Sequence, residues 1–242
     1  MHYPAILKLP ACFFRLKVMK KVLLAIVISA IALCIVQEAM AQKSSAFRIA
    51  RLKYDGGGDW YNDPLEEPTL LQFVKSHTNI NVDPNYYYVD IMSDDIFTYP
   101  FLFMTGHGNI RFTDEQAGRL RQYLDNGGFL YADDDYGMDG AFKREMKKVF
   151  PGEKLVELPY SYGLYDCVYD FSHGPPKIQD WEDGKLPKAY GIFIGDRLAV
   201  YYTTECNPSD GWDPPEVHGD PEPKRLEALE FGTNIVYWAL TH

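Results

Sequence analysis

The sequence predicts an α/β domain with a doubly wound, mostly parallel sheet, helices on both of its faces and an appended antiparallel hairpin. Three observations predict it. Short, nearly continuous apolar runs such as Phe101-Leu102-Phe103-Met104 and Phe129-Leu130-Tyr131-Ala132 have the character of strands buried on both faces. Segments with apolar residues at helical spacing alternate with them. Late in the chain, two alternating runs are separated only by Gly195-Asp196, the signature of a hairpin with a two-residue turn.

Phe47 to Tyr54 alternates apolar and basic residues and runs into Asp55-Gly56-Gly57-Gly58-Asp59, a strand leading into a flexible loop. Pro68 suits the first turn of a helix whose apolar face is Leu70, Leu71, Phe73 and Val74, before Ser76-His77. Tyr86 to Met92 is β-prone and reads as the second strand, and Tyr99 to Thr105 as the third, ending in Gly106-His107-Gly108-Asn109. Thr113 with Gln116 three residues later is a capping box, followed by Ala117, Leu120 and Leu124 and a Gly127-Gly128 stop. Phe129 to Ala132 is the fourth strand and runs into Asp133-Asp134-Asp135. Asp139 is placed to cap the next helix, with Phe142, Met146, Val149 and Phe150 on one face and Pro151 ending it. Tyr190, Ile192 and Ile194 form one arm of the hairpin; Leu198, Val200 and Tyr202 form the other. Glu205 to Glu222 holds four prolines and two glycines without periodicity, and Leu226, Leu229, Thr233, Val236 and Leu240 line a final helix.

The organisation around this domain follows from the first residues. Met19-Lys20-Lys21, fifteen uncharged residues from Val22 to Val36, and Gln37-Glu38-Ala39-Met40-Ala41 make a basic region, a short apolar core and a small-x-small site. This is the grammar of a secretory signal peptide, expected over residues 1–41, with cleavage before Gln42 and a single α/β domain over 42–242. Residues 1–18 precede a complete signal, so Met19 competes with Met1 as the start. The apolar core is short for a membrane span, and no stable membrane insertion is expected after cleavage. Cleavage leaves 19 basic against 33 acidic residues, a net charge of −14, which argues against nucleic acid and anionic lipid as partners. An exported location, periplasmic or secreted, makes Cys167 and Cys206 a candidate disulfide, with two buried free thiols as the alternative.

Ligands of doubly wound sheets sit beyond the carboxyl ends of the strands, so three strand ends carry the candidate ligand site. They are Asp55, Gly56, Gly57, Gly58, Asp59 and Trp60; Gly106, His107 and Gly108; and Asp133, Asp134 and Asp135. Three adjacent carboxylates repel unless something offsets them. Either one of them caps a helix or ties down a loop amide while the others are solvated, or they meet a ligand or divalent cation, or they act in catalysis. No cofactor is predicted. Asp135-x-Gly137-x-Asp139-Gly140 brushes against a calcium-loop pattern, but its twelfth position is Met146 rather than glutamate. His107, between two glycines, reads as a ligand-facing imidazole or as a turn histidine bonded to backbone. The glycines of residues 56–58 lack the lysine and hydroxyl of a phosphate loop. Trp212 and His218 lie on the proline-rich stretch, which fits a lid or a partner-binding loop. Tyr160, Tyr162, Tyr165 and Tyr169 read as core or rim packing, with sugar or peptide stacking as the alternative. The sequence contains no Gly-x-Ser-x-Gly, His-Glu-x-x-His or paired Cys-x-x-Cys, which disfavours common hydrolase and zinc mechanisms.

Four segments resemble the domain-of-unknown-function family numbered 4159, in the class I glutamine amidotransferase-like group of flavodoxin-like folds. They are Tyr54-Asp55-Gly56-Gly57-Gly58-Asp59-Trp60-Tyr61; Thr105-Gly106-His107-Gly108; Phe112-Thr113-Asp114-Glu115 through Gly127-Gly128-Phe129-Leu130 to Asp133-Asp134; and Gly232-Thr233-Asn234-Ile235-Val236. The resemblance covers residues 47–241 and implies a fold more than an activity. The larger group's amidotransferases carry a cysteine in an elbow after a strand and a His-x-Glu near the last helix. Here the matching elbow is Asp133-Asp134-Asp135, and His218-Gly219-Asp220 only echoes the second motif, so glutamine hydrolysis is not expected. Family members also occur fused to von Willebrand A modules in membrane-associated bacterial proteins, which suits an assembly role.

The function expected is thus a ligand-binding or protein-interaction domain of the bacterial envelope, with a small molecule or an envelope protein as partner. The alternative is a hydrolase of a carbohydrate or envelope-derived substrate, its catalytic candidates being Asp133, Asp134, His107 and His218. An enzyme should hold Asp133 or Asp134 within hydrogen-bond reach of a histidine; a binding module need only share a rim. A structural module of an envelope complex, the third reading, would expose apolar surface near the proline-rich stretch.

Overall fold

The computed structural model describes residues 46–179 and 184–242, with Leu24 and residues 27–29. The chain divides into two units, Met1–Ala46 and Phe47–His242. In the first, Leu24 and residues 27–29 are helical and exposed. The rest of the expected signal segment, both candidate start methionines, Cys12 and Cys34 lie outside the described residues. No helix of the described residues is long and apolar enough to cross a membrane.

The second unit is built on a seven-stranded sheet in the order β2-β1-β3-β4-β7-β6-β5. Its strands are β1 (Ile49–Lys53), β2 (Tyr88–Asp90), β3 (Phe101–Met104), β4 (Phe129–Asp133), β5 (Val156–Glu157), β6 (Lys188–Ile194) and β7 (Arg197–Thr204). β2, β1, β3, β4 and β7 run parallel; β6 pairs antiparallel with β7, and β5 with β6. β7 is therefore an internal strand, parallel to β4 on one side. β6 and the two-residue β5 carry the sheet onward from it.

The period of two along each strand sorts side chains onto two faces. Leu52, Leu102, Leu130 and Val200 join Leu120, Leu124, Phe142 and Met146 in one core, under α2 (Asp114–Asp125) and α3 (Asp139–Val149). Ile49, Phe101, Phe129, Tyr131 and Tyr201 join Leu70, Leu71, Val74, Phe231 and Ile235 in the other, under α1 (Glu66–His77) and α5 (Glu222–Thr241). Each buried Leu, Ile or Phe contributes roughly 1.5–3 kcal/mol by leaving water.

Both halves of the capping box form on α2. Gln116 N donates to Thr113 Oγ1 at 3.1 Å, and Thr113 N donates to Gln116 Oε1 at 2.8 Å. Of the two caps expected for α3, Asp139 or a carboxylate of the Asp133–Asp135 triplet, the second forms. Asp139 is already helical, and Asp134 satisfies the free amides, accepting from Met138 N at 2.7 Å and Asp139 N at 3.1 Å. A carboxylate leaving the end of β4 reaches that helix start directly, whereas Asp139 turns its oxygens to Lys143 and Tyr202.

The first part of the proline-rich stretch is packed into the fold and the second part is exposed. A 3-10 helix, Pro208–Trp212, is buried throughout, and a single turn, α4 (Pro215–His218), follows it. Trp212 anchors the stretch: its Nε1 donates to Ala228 O at 3.0 Å while its ring packs on Phe103 and Tyr131. Of the tyrosine patch, Tyr165 is buried against Phe231, and Tyr162 packs on Trp238. Cys167 and Cys206 are free thiols, so the candidate disulfide is not formed. Cys167 points at α5, donating to Leu164 O and Asn234 O, while Cys206 is buried just beyond β7.

Candidate functional site

The loops after β1, β3, β4 and β7 gather at the carboxyl ends of the parallel strands. Two of them are zipped together. Arg111 N donates to Asp55 O at 2.7 Å, Gly58 N to Asn109 O at 3.0 Å and Asn109 Nδ2 to Gly56 O at 3.0 Å. A Cβ on Gly56 would lie 2.7 Å from Arg111 N, and one on Gly106, at φ +132°, 2.5 Å from Tyr54 Oη. These glycines permit backbone contact between loops, in which the Gly58 amide and the Gly56 carbonyl are engaged.

His107 lies where the loops meet. Its amide donates to Asp59 Oδ1 at 2.5 Å, and its Nδ1 lies 3.1 Å from both Asp59 Oδ2 and Asp135 Oδ2. The imidazole is half exposed; the Asp135 carboxylate beneath it is buried and also accepts from Asn62 Nδ2 at 2.9 Å and Asn207 Nδ2 at 2.8 Å. Burial raises the carboxyl of Asp135 above its ordinary range.

The other two aspartates of the triplet face elsewhere. Asp133 is fully buried and accepts from Thr203 Oγ1 at 2.5 Å and Ser209 N at 2.8 Å; burial pushes it up to about 7. Asp134 caps α3 and accepts from Thr204 Oγ1 at 3.0 Å. Neither bonds to a histidine. Asp134 and Asp135 border a cleft of about 210 Å³ that also takes in Tyr136, Gly137, Lys185, Glu205 and Cys206. Asp55 holds Gln116 at 3.2 Å, and Trp60 packs on Tyr61 and Tyr88, so both sit at the rim.

Residues 48–240 match the family described as Domain of unknown function (DUF4159). The chain belongs to the DUF4159 family. No curated protein matches it.

His218, a candidate from the sequence, and several residues that sequence reasoning did not single out complete the strand-end region of this DUF4159 domain. Arg51 on β1, fully buried, donates to Glu67 at 2.6 and 2.8 Å, to Glu66 at 2.6 Å and to the carbonyls of Trp60 and Asn62 at 3.2 and 2.9 Å. It thus holds the loop after β1 from below. Next to that loop, His218 Nε2 faces Asp213 Oδ2 at 3.1 Å, Asp63 Oδ1 at 3.7 Å and Asp210 Oδ1 at 3.9 Å. The hydrogen bond to Asp213 pushes His218 up to about 9, while burial pushes Asp210 up to about 7 and raises Asp63. Donor atoms of Asp63, Asp213 and His218 lie within 4.8 Å of one another, as do those of Asp63, Glu66 and Asp210, so among the described residues these are groups able to share a cation. The signal available in the sequence was the spacing of Asp210, Asp213 and His218 in a stretch of low periodicity.

Proposed function

We propose that this chain is an exported binding domain of the bacterial envelope with a class I glutamine amidotransferase-like fold, lacking that group's chemistry. The observation that carries the reading is the use made of the elbow after β4. Where an amidotransferase holds a nucleophile, Asp133 and Asp134 are committed to Thr203, Ser209 and the start of α3. The parallel order β2-β1-β3-β4-β7 supports the fold assignment, because it is the flavodoxin-like order 2-1-3-4-5. Burial pushes the thiol of Cys167 up to about 11 and raises that of Cys206, so neither supplies a thiolate near neutral pH.

The ligand bound at the strand ends is cationic or rich in hydrogen-bond donors, because Asp59, Asp63, Asp135, Asp210 and Asp213 converge there. A melting screen of the exported protein against divalent cations, polyamines, envelope sugars and short basic or acidic peptides tests it. A dose-dependent rise that His107→Ala or Asp135→Asn abolishes supports the reading. Stabilisation only by acidic compounds, or hits indifferent to both substitutions, counts against it. Aminoterminal sequencing of the exported protein should begin at Gln42.

One observation favours the second reading, a hydrolase: His107 is flanked by two carboxylates, as a general base held by an orienting acid would be. Turnover of an envelope glycan that is lost in Asp135→Asn would replace the binding reading. Exposed apolar surface, required by a structural module, is represented on the proline-rich stretch by Val217.

A further inference from the structure

We propose that Asp63, Asp210, Asp213 and His218 form a site for one divalent transition-metal cation, of which Zn2+ is the probe of choice. This rests on the reading of the strand ends as the ligand-binding end of the domain, and it names a ligand class and residues there. The four side chains come from two segments: Asp63 from the loop after β1, and Asp210, Asp213 and His218 from the stretch that runs from the 3-10 helix Pro208–Trp212 through α4. One imidazole nitrogen meets three carboxylates at 3.1, 3.7 and 3.9 Å. Ligands about 2.0–2.2 Å from a tetrahedral cation stand roughly 3.4 Å apart. Donor atoms of Asp63, Asp213 and His218 all lie within 4.8 Å of one another and must draw in to close around an ion, while Asp210 reaches the group through Asp63 and His218. An imidazole with carboxylates suits Zn2+ or Mn2+ better than Ca2+, which takes oxygen donors alone.

A second observation points the same way. Asp213 is 1% exposed, and its Oδ1 is buried without any hydrogen-bond partner. Asp210 is 3% exposed and its carboxylate accepts no hydrogen bond among the described residues; its nearest opposite charge is His218. Buried carboxylate oxygens left unmatched are costly, and the permanent cations close by are already engaged, Arg51 by Glu66 and Glu67 and Arg225 by Glu222 and the Asp213 carbonyl. A divalent ion would match the oxygens and offset the crowded negative charge together. The Asp133–Asp135 triplet does not compete for this role, because the carboxylates of Asp133 and Asp134 already accept bonds from their own neighbours.

The test is calorimetric titration of the chelator-treated protein with Zn2+, with melting curves before and after. One Zn2+ should bind per chain, and His218→Ala and Asp210→Asn should each weaken it at least about tenfold. Without metal, Asp210→Asn should melt above the parent, since it relieves charge repulsion; a merely structural carboxylate would melt lower when replaced. His107→Ala should keep Zn2+ binding. No saturable binding up to about 1 mM Zn2+ overturns the proposal, as does binding that His218→Ala leaves intact. A Zn2+ site lost in His107→Ala but kept in His218→Ala also overturns it, by moving the ion to the Asp59–His107–Asp135 cluster. A screen hit that stabilises the chelator-treated protein through His107, in the absence of Zn2+ binding, removes the cation site and leaves the cleft reading standing.

Discussion

Replacing Arg51 with methionine removes the buried cation beneath the strand-end loops while preserving most of the side-chain volume. Two buried carboxylates, Glu66 and Glu67, then lose a guanidinium that donates to them at 2.6–2.8 Å, and the carbonyls of Trp60 and Asn62 lose a donor. Removing one partner of a buried ion pair costs about 3–5 kcal/mol. In a domain of this size each kcal/mol lowers the melting temperature by roughly 2–4 °C, so Arg51→Met should melt about 6–20 °C below the parent near neutral pH. The defect has a pH signature. Burial raises Glu66 well above its ordinary range even with Arg51 present. Without Arg51 the folded chain prefers protonated Glu66 more strongly, and a raised folded pKa makes stability fall as pH rises. The defect should therefore be smaller at pH 5 than at pH 8, and Glu66→Gln with Glu67→Gln should recover part of it. Urea and thermal unfolding followed by circular dichroism measure all three. A loss under about 1 kcal/mol, or one equal at both pH values, would refute the account of Arg51 as the clamp of the loop after β1.

Other expectations follow from single contacts. The carboxyl of Asp133, held at about 7 against an ordinary 3.8, binds its proton in the folded chain between those values and not in the unfolded one. Its contribution is therefore full below the lower value and lost as pH rises through about 7, on the order of 4 kcal/mol; Asp133→Asn should flatten the urea midpoint between pH 5 and 8. Asp134→Ala should cost about 2 kcal/mol by uncapping α3, and Asp139→Ala about 1 kcal/mol or less; the reverse order in denaturant melts would return the cap to Asp139. Gly106→Ala should cost about 1–3 kcal/mol, because φ +132° and the Tyr54 hydroxyl both oppose a Cβ, and an unchanged melt would contradict that geometry.

What the sequence disclosed was chiefly what is local. The capping box at Thr113 and Gln116 is readable because both partners lie within one turn, and Phe101–Met104 and Phe129–Ala132 announce buried parallel strands by lacking any polar face. Asp134 and Asp139 are equally good caps by composition, and only the direction in which β4 delivers its last residues separates them. The candidate loops at residues 55–60 and 106–108 do meet, and His107 does reach Asp135, because strand ends converge in a doubly wound sheet. Arg51 hid in an alternation of apolar and basic residues that reads as a half-exposed strand; its partners lie 15 and 16 residues away, across a loop. Trp212 likewise stands on a proline-rich stretch that fits a lid or a partner-binding loop, and its burial rests on contacts with Phe103 and Tyr131 from distant strands. Asp210, Asp213 and His218 lie close in sequence, but nothing local points to Asp63, which the loop after β1 brings to the same imidazole.

Histidine-selective NMR of the chain from Gln42 onward, titrated with the screening compounds in turn, tests ligand binding at the strand ends most directly. His107 and His218 lie among those loops, whereas His77, His173 and His242 are exposed elsewhere on the chain. A true ligand should move the His107 or His218 resonances with saturation and leave the other three in place. Saturable binding that moves only His77, His173 or His242, with His107 and His218 unchanged, would contradict the assignment of the site.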